Sequence, residues 1–135
     1  MKLTKGFTLH WIDRTPIKVI GIKNVDKDLE KNVYCMFDTG AGNTIVDHKI
    51  VEELQLPKEQ VPKTIIEAWE KLMMKTIEYM TAFHVYMVER DELLIAYALL
   101  MDLSDQHFSV LLGTEFFIEH KIVLDFSDNS IKIKK

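Results

Sequence analysis

Residues 33–46 read Val-Tyr-Cys-Met-Phe-Asp-Thr-Gly-Ala-Gly-Asn-Thr-Ile-Val. Val33 to Phe37 is a short apolar run between a charged stretch and Gly40, and it reads as a buried strand. Asp38 stands directly at its end. Placing a carboxylate there is costly unless polar groups support it. Gly40 lets the backbone pass closely and aim an amide at the carboxylate, and Thr39 brings a hydroxyl able to bond neighbouring backbone. Ala41 and Gly42 keep the loop free of bulk. Asp38 is therefore a candidate site residue, supported by Thr39, Gly40 and Ala41. The plainer alternative is that Asp38 only caps a turn.

Outward from this loop, Thr44-Ile45-Val46 suggests a second short strand. Asp47 is placed to cap a helix whose Ile50, Val51 and Leu54 fall at helical spacing, and Leu56-Pro57 ends it. Upstream, Phe7 to Ile12 and Ile17 to Ile22 read as strands, and Asn24 to Asn32 as a charged hairpin loop. Thr64 to Met87 is ambiguous between strand and helix. Val85 to Val88 and Leu94 to Met101 read as strands around the polar turn Glu89 to Glu92. Val110-Leu111-Leu112 is a buried strand ending at Gly113, and a short helix follows from Thr114 or Glu115 to Glu119. Ile122 to Phe126 and Ile131 to Lys134 form a closing hairpin through Ser127-Asp128-Asn129-Ser130. Many short strands with two small helices predict a mainly β domain.

An Asp-Thr-Gly triplet alone arises by chance in about 2% of chains this long, so its context decides. Here an apolar strand precedes the triplet, and Thr44-Ile45-Val46 and a short helix follow. Leu111-Leu112-Gly113 and a second helix come far downstream. This order resembles the retropepsin family of aspartic peptidases, which includes retroviral proteases and the protease-like domain of ubiquitin-shuttle proteins. The resemblance covers roughly residues 16 to 134. It implies a closed acid-protease-type β barrel, a single lobe with one or two short helices. It also implies that the strand of Leu111, Leu112 and Gly113 crosses behind the catalytic loop. Family members carry one Asp-Thr-Gly loop per chain and pair two chains. Asp102-Leu103-Ser104 and Asp125-Phe126-Ser127 do not repeat the loop, so a symmetric homodimer would bring the second Asp38.

The resemblance thus implies an aspartic endopeptidase with Asp38 as its catalytic carboxylate, acting on peptide or protein substrates with no cofactor and no metal. Family flaps are usually hairpins with glycine at the tip. The corresponding region, about Ile65 to Tyr79, contains no glycine. A hairpin there needs a non-glycine turn, or the segment is partly helical, with Trp69 as the residue to cover the cleft. The other expectation is a catalytically silent relative that binds extended peptides or serves as a dimerisation module.

Composition agrees with one domain over residues 1–135. Apolar residues make up 47% and charged residues 28%, which excludes a disordered chain. The formal charge of −4, from 17 basic and 21 acidic residues, argues against nucleic-acid binding. No apolar run is long enough to span a bilayer, so no membrane partner is expected. Met1-Lys2-Leu3-Thr4-Lys5 leads into no long apolar core, and Cys35 is the single cysteine. Both features lead to the expectation of a cytoplasmic protein. Cys35 is expected to pack in the core. His84, His107 and His120 lack the paired spacing of a zinc site.

Overall fold

Ile20 and Ile22 alternate with Val19, Gly21 and Lys23, and this period of two fixes which face of the strand turns inward. The structure is a computed structural model that describes residues 3–8, 10–12, 15–64, 66–67, 77–87, 92–125, 127 and 130–134. The first half of the chain forms β1 (Leu3–Thr8), β2 (His10–Ile12), β3 (Thr15–Asn24), β4 (Leu29–Phe37), β5 (Thr44–Asp47), helix α1 (His48–Glu53) and β6 (Glu59–Gln60). The second half forms β7 (Tyr79–Tyr86), β8 (Leu93–Met101), β9 (Val110–Leu112), helix α2 (Thr114–His120), β10 (Ile122–Asp125) and β11 (Ser130–Lys134).

One sheet runs in the order β2-β3-β4-β9-β5-β8-β7-β6, and β3 also pairs with β7 through Gly21↔Tyr86, Ile22↔Val85 and Lys23↔His84. That last pairing joins the two ends of a six-strand ring, so the sheet closes into a barrel. The other sheet has three strands in the order β1-β11-β10. The architecture is the expected mainly β, closed single-lobe barrel with short helices.

Alternation sorts the apolar residues into two groups. Ile20, Ile22, Cys35, Phe37, Val85 and Leu112 fill the barrel, joined by Val51 of α1 and Phe117 of α2. Ile45, Val61, Ile77, Leu99, Met101 and Leu103 form a second cluster. Val46, Ala98 and Leu100 belong to the first group, while their neighbours Ile45, Leu99 and Met101 belong to the second. The two clusters therefore lie on opposite faces of β5 and β8.

Four sequence expectations are corrected. The charged stretch Asn24 to Asn32 does form a hairpin, but its loop is shorter than expected: the turn is confined to residues 25–28, with Asn24↔Leu29 paired across it and residues 29–32 in strand. Residues Glu30, Lys31 and Asn32 are exposed, so the ladder holds them by backbone bonds while their polar side chains stay at the surface. Asp28 completes the turn at φ 52°. Phe7 to Ile12 is divided between β1 and β2, which join different sheets. The strand expected at Val85 to Val88 begins earlier, spanning Tyr79–Tyr86, and Val88 lies outside the described residues. Asp47 does not cap α1 with its side chain. Asn24 instead binds the other end of that helix, its Nδ2 donating to Leu54 O at 2.9 Å and Gln55 O at 3.1 Å.

Thr81 lies on β7 in register with Ala98 of the barrel interior and is 5% exposed. Among the described residues, its Oγ1 is the one buried side-chain polar atom without a hydrogen-bond partner. Burying an unpaired hydroxyl costs stability, and valine has the same branched shape without it. Thr81→Val is expected to raise the free energy of unfolding by about 1 kcal/mol. Urea denaturation that leaves the midpoint unchanged or lowered would contradict this.

Candidate active site

β9 enters the sheet between the two strands that carry the Asp38 loop. It runs parallel to β4, pairing Met36↔Leu111 and Phe37↔Leu112. It runs antiparallel to β5, pairing Ile45↔Leu111 and Val46↔Val110. The loop from 38 to 43 therefore arches over the C-terminal end of β9. Asp38 N donates to Leu112 O at 3.0 Å, extending the β4 ladder by one residue. Gly113 N donates to Thr44 Oγ1 at 3.3 Å. The start of α2 completes the grip: Thr114 donates to Ala41 O from its N at 2.8 Å and its Oγ1 at 3.2 Å, and Glu115 N donates to Gly42 O at 3.1 Å. Phe117 of α2 stacks on Phe37 with ring centroids 6.2 Å apart and fixes the helix against β4.

Asp38 is half-buried and Thr39 and Gly40 are exposed. Gly40 N donates to Asp38 Oδ1 at 2.8 Å, and Ala41 N donates to Asp38 O at 3.3 Å. The carboxylate is thus oriented by an amide two residues on, the local turn that aspartate favours. Alternation along β4 puts Met36 on the face opposite Phe37, and Asp38 continues that side. Leu111, in register with Met36, shares it. Trp69 and residues 68–76, the centre of the expected flap, lie outside the described residues. Lys63, Thr64, Ile66 and Glu67 at its leading edge are helical, with Ile66 N donating to Pro62 O at 3.2 Å.

Two supporting residues escaped the sequence reading. Thr44 and Thr114 were legible only as the first residues of a strand and a helix, and their hydroxyl bonds span 69 and 73 positions. Nothing local signals such distant partners. Cys35 is fully buried, and burial pushes its thiol well above the ordinary range, only partly offset by a hydrogen bond from the Leu112 backbone. Such a thiol is no nucleophile. Glu115 is held above the ordinary carboxyl value by loss of solvent around it and then by the Glu119 charge. Among the described residues no three His, Cys, Asp or Glu groups gather in a way that would hold a metal ion. None of the described helices is long and apolar enough to cross a membrane.

Gly113 is the steric keystone. A Cβ there would stand 2.5 Å from Asn43 O and 2.8 Å from Ala41 O. Both are backbone atoms of the loop and cannot move without displacing it. At Gly42 a Cβ would meet nothing within 4 Å. Gly113→Ala is therefore expected to destabilise the protein by about 3 kcal/mol, whereas Gly42→Ala is neutral or slightly stabilising. Equilibrium unfolding of the two variants side by side checks the contrast.

No family model and no curated protein matches this sequence at a significant level. Solved structures do match in shape. A retropepsin-like aspartic protease from Rickettsia conorii superposes with a TM-score of 0.57 at 13% identity, over 98% of this chain and 94% of that one. EIAV protease, solved with the inhibitor HBY-793, gives 0.52 at 15% identity over 82% and 91%. The retroviral protease-like domain of Ddi1 from Leishmania major gives 0.52 at 13% identity over 87% of each chain. The similarity is one of backbone path rather than sequence, and it extends over most of each chain. With β9 threaded behind an Asp-Thr-Gly loop in a closed six-strand barrel, this chain has the fold of the retropepsin-like aspartic proteases.

Proposed function

We propose that the protein is an aspartic endopeptidase that works as a homodimer, with Asp38 of each chain as the catalytic carboxylate. The observation that carries the reading is the held loop: Asp38 is fixed by Leu112 O behind it and Gly40 N beside it, yet its side chain is only half-buried. One chain brings one such loop. A two-fold axis through the loops would bring a second copy into reach.

Two carboxylates a few Å apart do not both ionise readily, and sharing one proton is the known behaviour of aspartic-protease dyads. The ionised member takes a proton from a water between them, and that water's oxygen bonds to the scissile carbonyl carbon. The protonated member donates to the carbonyl oxygen. When the C–N bond breaks, a proton passes to the leaving nitrogen. The chemistry uses neither a metal nor a covalent intermediate. Peptide or protein is the substrate, and the reducing cytoplasm suits a chain whose buried Cys35 is unpaired.

The absence of glycine from residues 65–79 favours a second reading, a silent dimer that binds extended peptides. Digestion of a peptide library across pH separates the two. Asp38→Asn keeps the side chain's shape but removes the ionisable group, so kcat/KM is expected to fall at least about 10²-fold. Equal hydrolysis by wild type and variant rejects the peptidase. Activity is also expected to rise with dimer formation in sedimentation, and excess Asp38→Asn chain to poison the wild type by forming mixed dimers. Full activity in a monomer rejects the shared site.

A further inference from the structure

Asp47 occupies the N-cap position of α1 with extended backbone, φ −68° and ψ 140°, yet its side chain makes no bond to the helix. Aspartate at such a position ordinarily accepts from a free amide of the first turn. Here the residue is 8% exposed, and its Oδ1 accepts from Leu103 N at 3.2 Å, 56 positions away. Its own N donates to Ser109 O at 2.9 Å. A single residue thus holds both ends of the 103–109 loop. Ser109 N donates to Tyr34 O at 2.9 Å, which ties the loop to β4 as well.

The loop leads straight into β9, whose Leu112 O receives the Asp38 amide. Leu103 is a buried member of the second apolar cluster, and Phe108 and Leu111 pack against that cluster. Leu111 is in register with Met36 and Ile45, on the side of the sheet that Asp38 continues. The second cluster therefore lies on the side of the sheet that Asp38 continues. A buried carboxylate diverted from its local helix to this loop departs from the local rule, and such departures concentrate at functional sites.

We propose that Asp47 is a positioning residue for the peptidase: by locking the 103–109 loop it fixes Phe108 and Leu111 as a wall against which bound substrate packs. The inference rests on the peptidase reading. Asp47 touches neither substrate nor the reacting atoms, so its effect falls on substrate binding rather than on the chemical step.

The test uses the full chain and the peptide that the wild type cleaves best in the library. Asp47→Ala removes the acceptor, and Asp47→Asn keeps an oxygen in the same place. Asp47→Ala is expected to raise KM about tenfold with kcat nearly unchanged, and Asp47→Asn to restore most of the wild-type KM. Faster hydrogen exchange at the Leu103 amide should accompany the Asp47→Ala change. Phe108→Ala alters the wall without touching the anchor. It is expected to raise KM similarly, and the double variant to show less than the sum of the two. If Asp47→Ala does not fold, Phe108→Ala decides. An unchanged KM in folded Asp47→Ala or in Phe108→Ala overturns the proposal. So does a fall in kcat that matches the loss of folded protein. Those outcomes leave the peptidase standing, whereas a wild type with no Asp38-dependent cleavage overturns both.

Discussion

The contact between β9 and the 38–43 loop is the constraint on which the rest of the site depends. Leu112 O receives the Asp38 amide, and the next residue, Gly113, passes beneath the carbonyls of Ala41 and Asn43 with no room for a side chain. A strand lodged this closely cannot slide, because its two neighbours run in opposite senses and pair with it at fixed registers. The bonds from Thr114 and Glu115 to Ala41 and Gly42 then set the loop's outer turn. Carboxylate position is thus fixed by backbone on backbone, which is stiffer than any packing of flexible side chains.

Barrel closure provides the rigidity that this contact needs. The β3–β7 pairing leaves both neighbours of β9 inside a continuous ring rather than at an open edge. Ring closure also gives β5 and β8 two buried faces, one towards the barrel interior and one towards the second apolar cluster. Strands buried on both faces read as continuous apolar runs, and Leu99, Leu100 and Met101 are buried in succession. A half-exposed sheet would show alternation there instead.

Buried polar groups sit where separate segments must meet in one arrangement. Asn24 joins the β3–β4 hairpin to the end of α1, Thr44 joins β5 to Gly113, and Asp47 joins β5 to the loop before β9. Each bond satisfies a backbone group that would otherwise be buried unpaired. Wrong registers would leave those groups orphaned, so these few polar contacts select one packing among the many an apolar core alone permits.

The sequence by itself determined the features whose cause is local. The apolar run before Asp38, the glycine that turns an amide onto it, the Val110–Leu112 strand with its terminal glycine, and the spacing of Ile50, Val51 and Leu54 all act within a few residues. The tertiary structure decided the rest. Glu30 to Asn32 has no apolar face to announce a strand, and only the neighbouring ladder makes it one. Asp47 carries every local mark of a helix cap, but the amide that claims its carboxylate lies 56 residues on. The parallel pairing of β4 with β9 and the closure of β3 on β7 join segments far apart in the chain. Local pattern records which face of a residue run is apolar. Which distant donor or strand meets that face depends on how the whole chain closes, because a hydrogen-bond partner is chosen only when burial has removed water as the alternative.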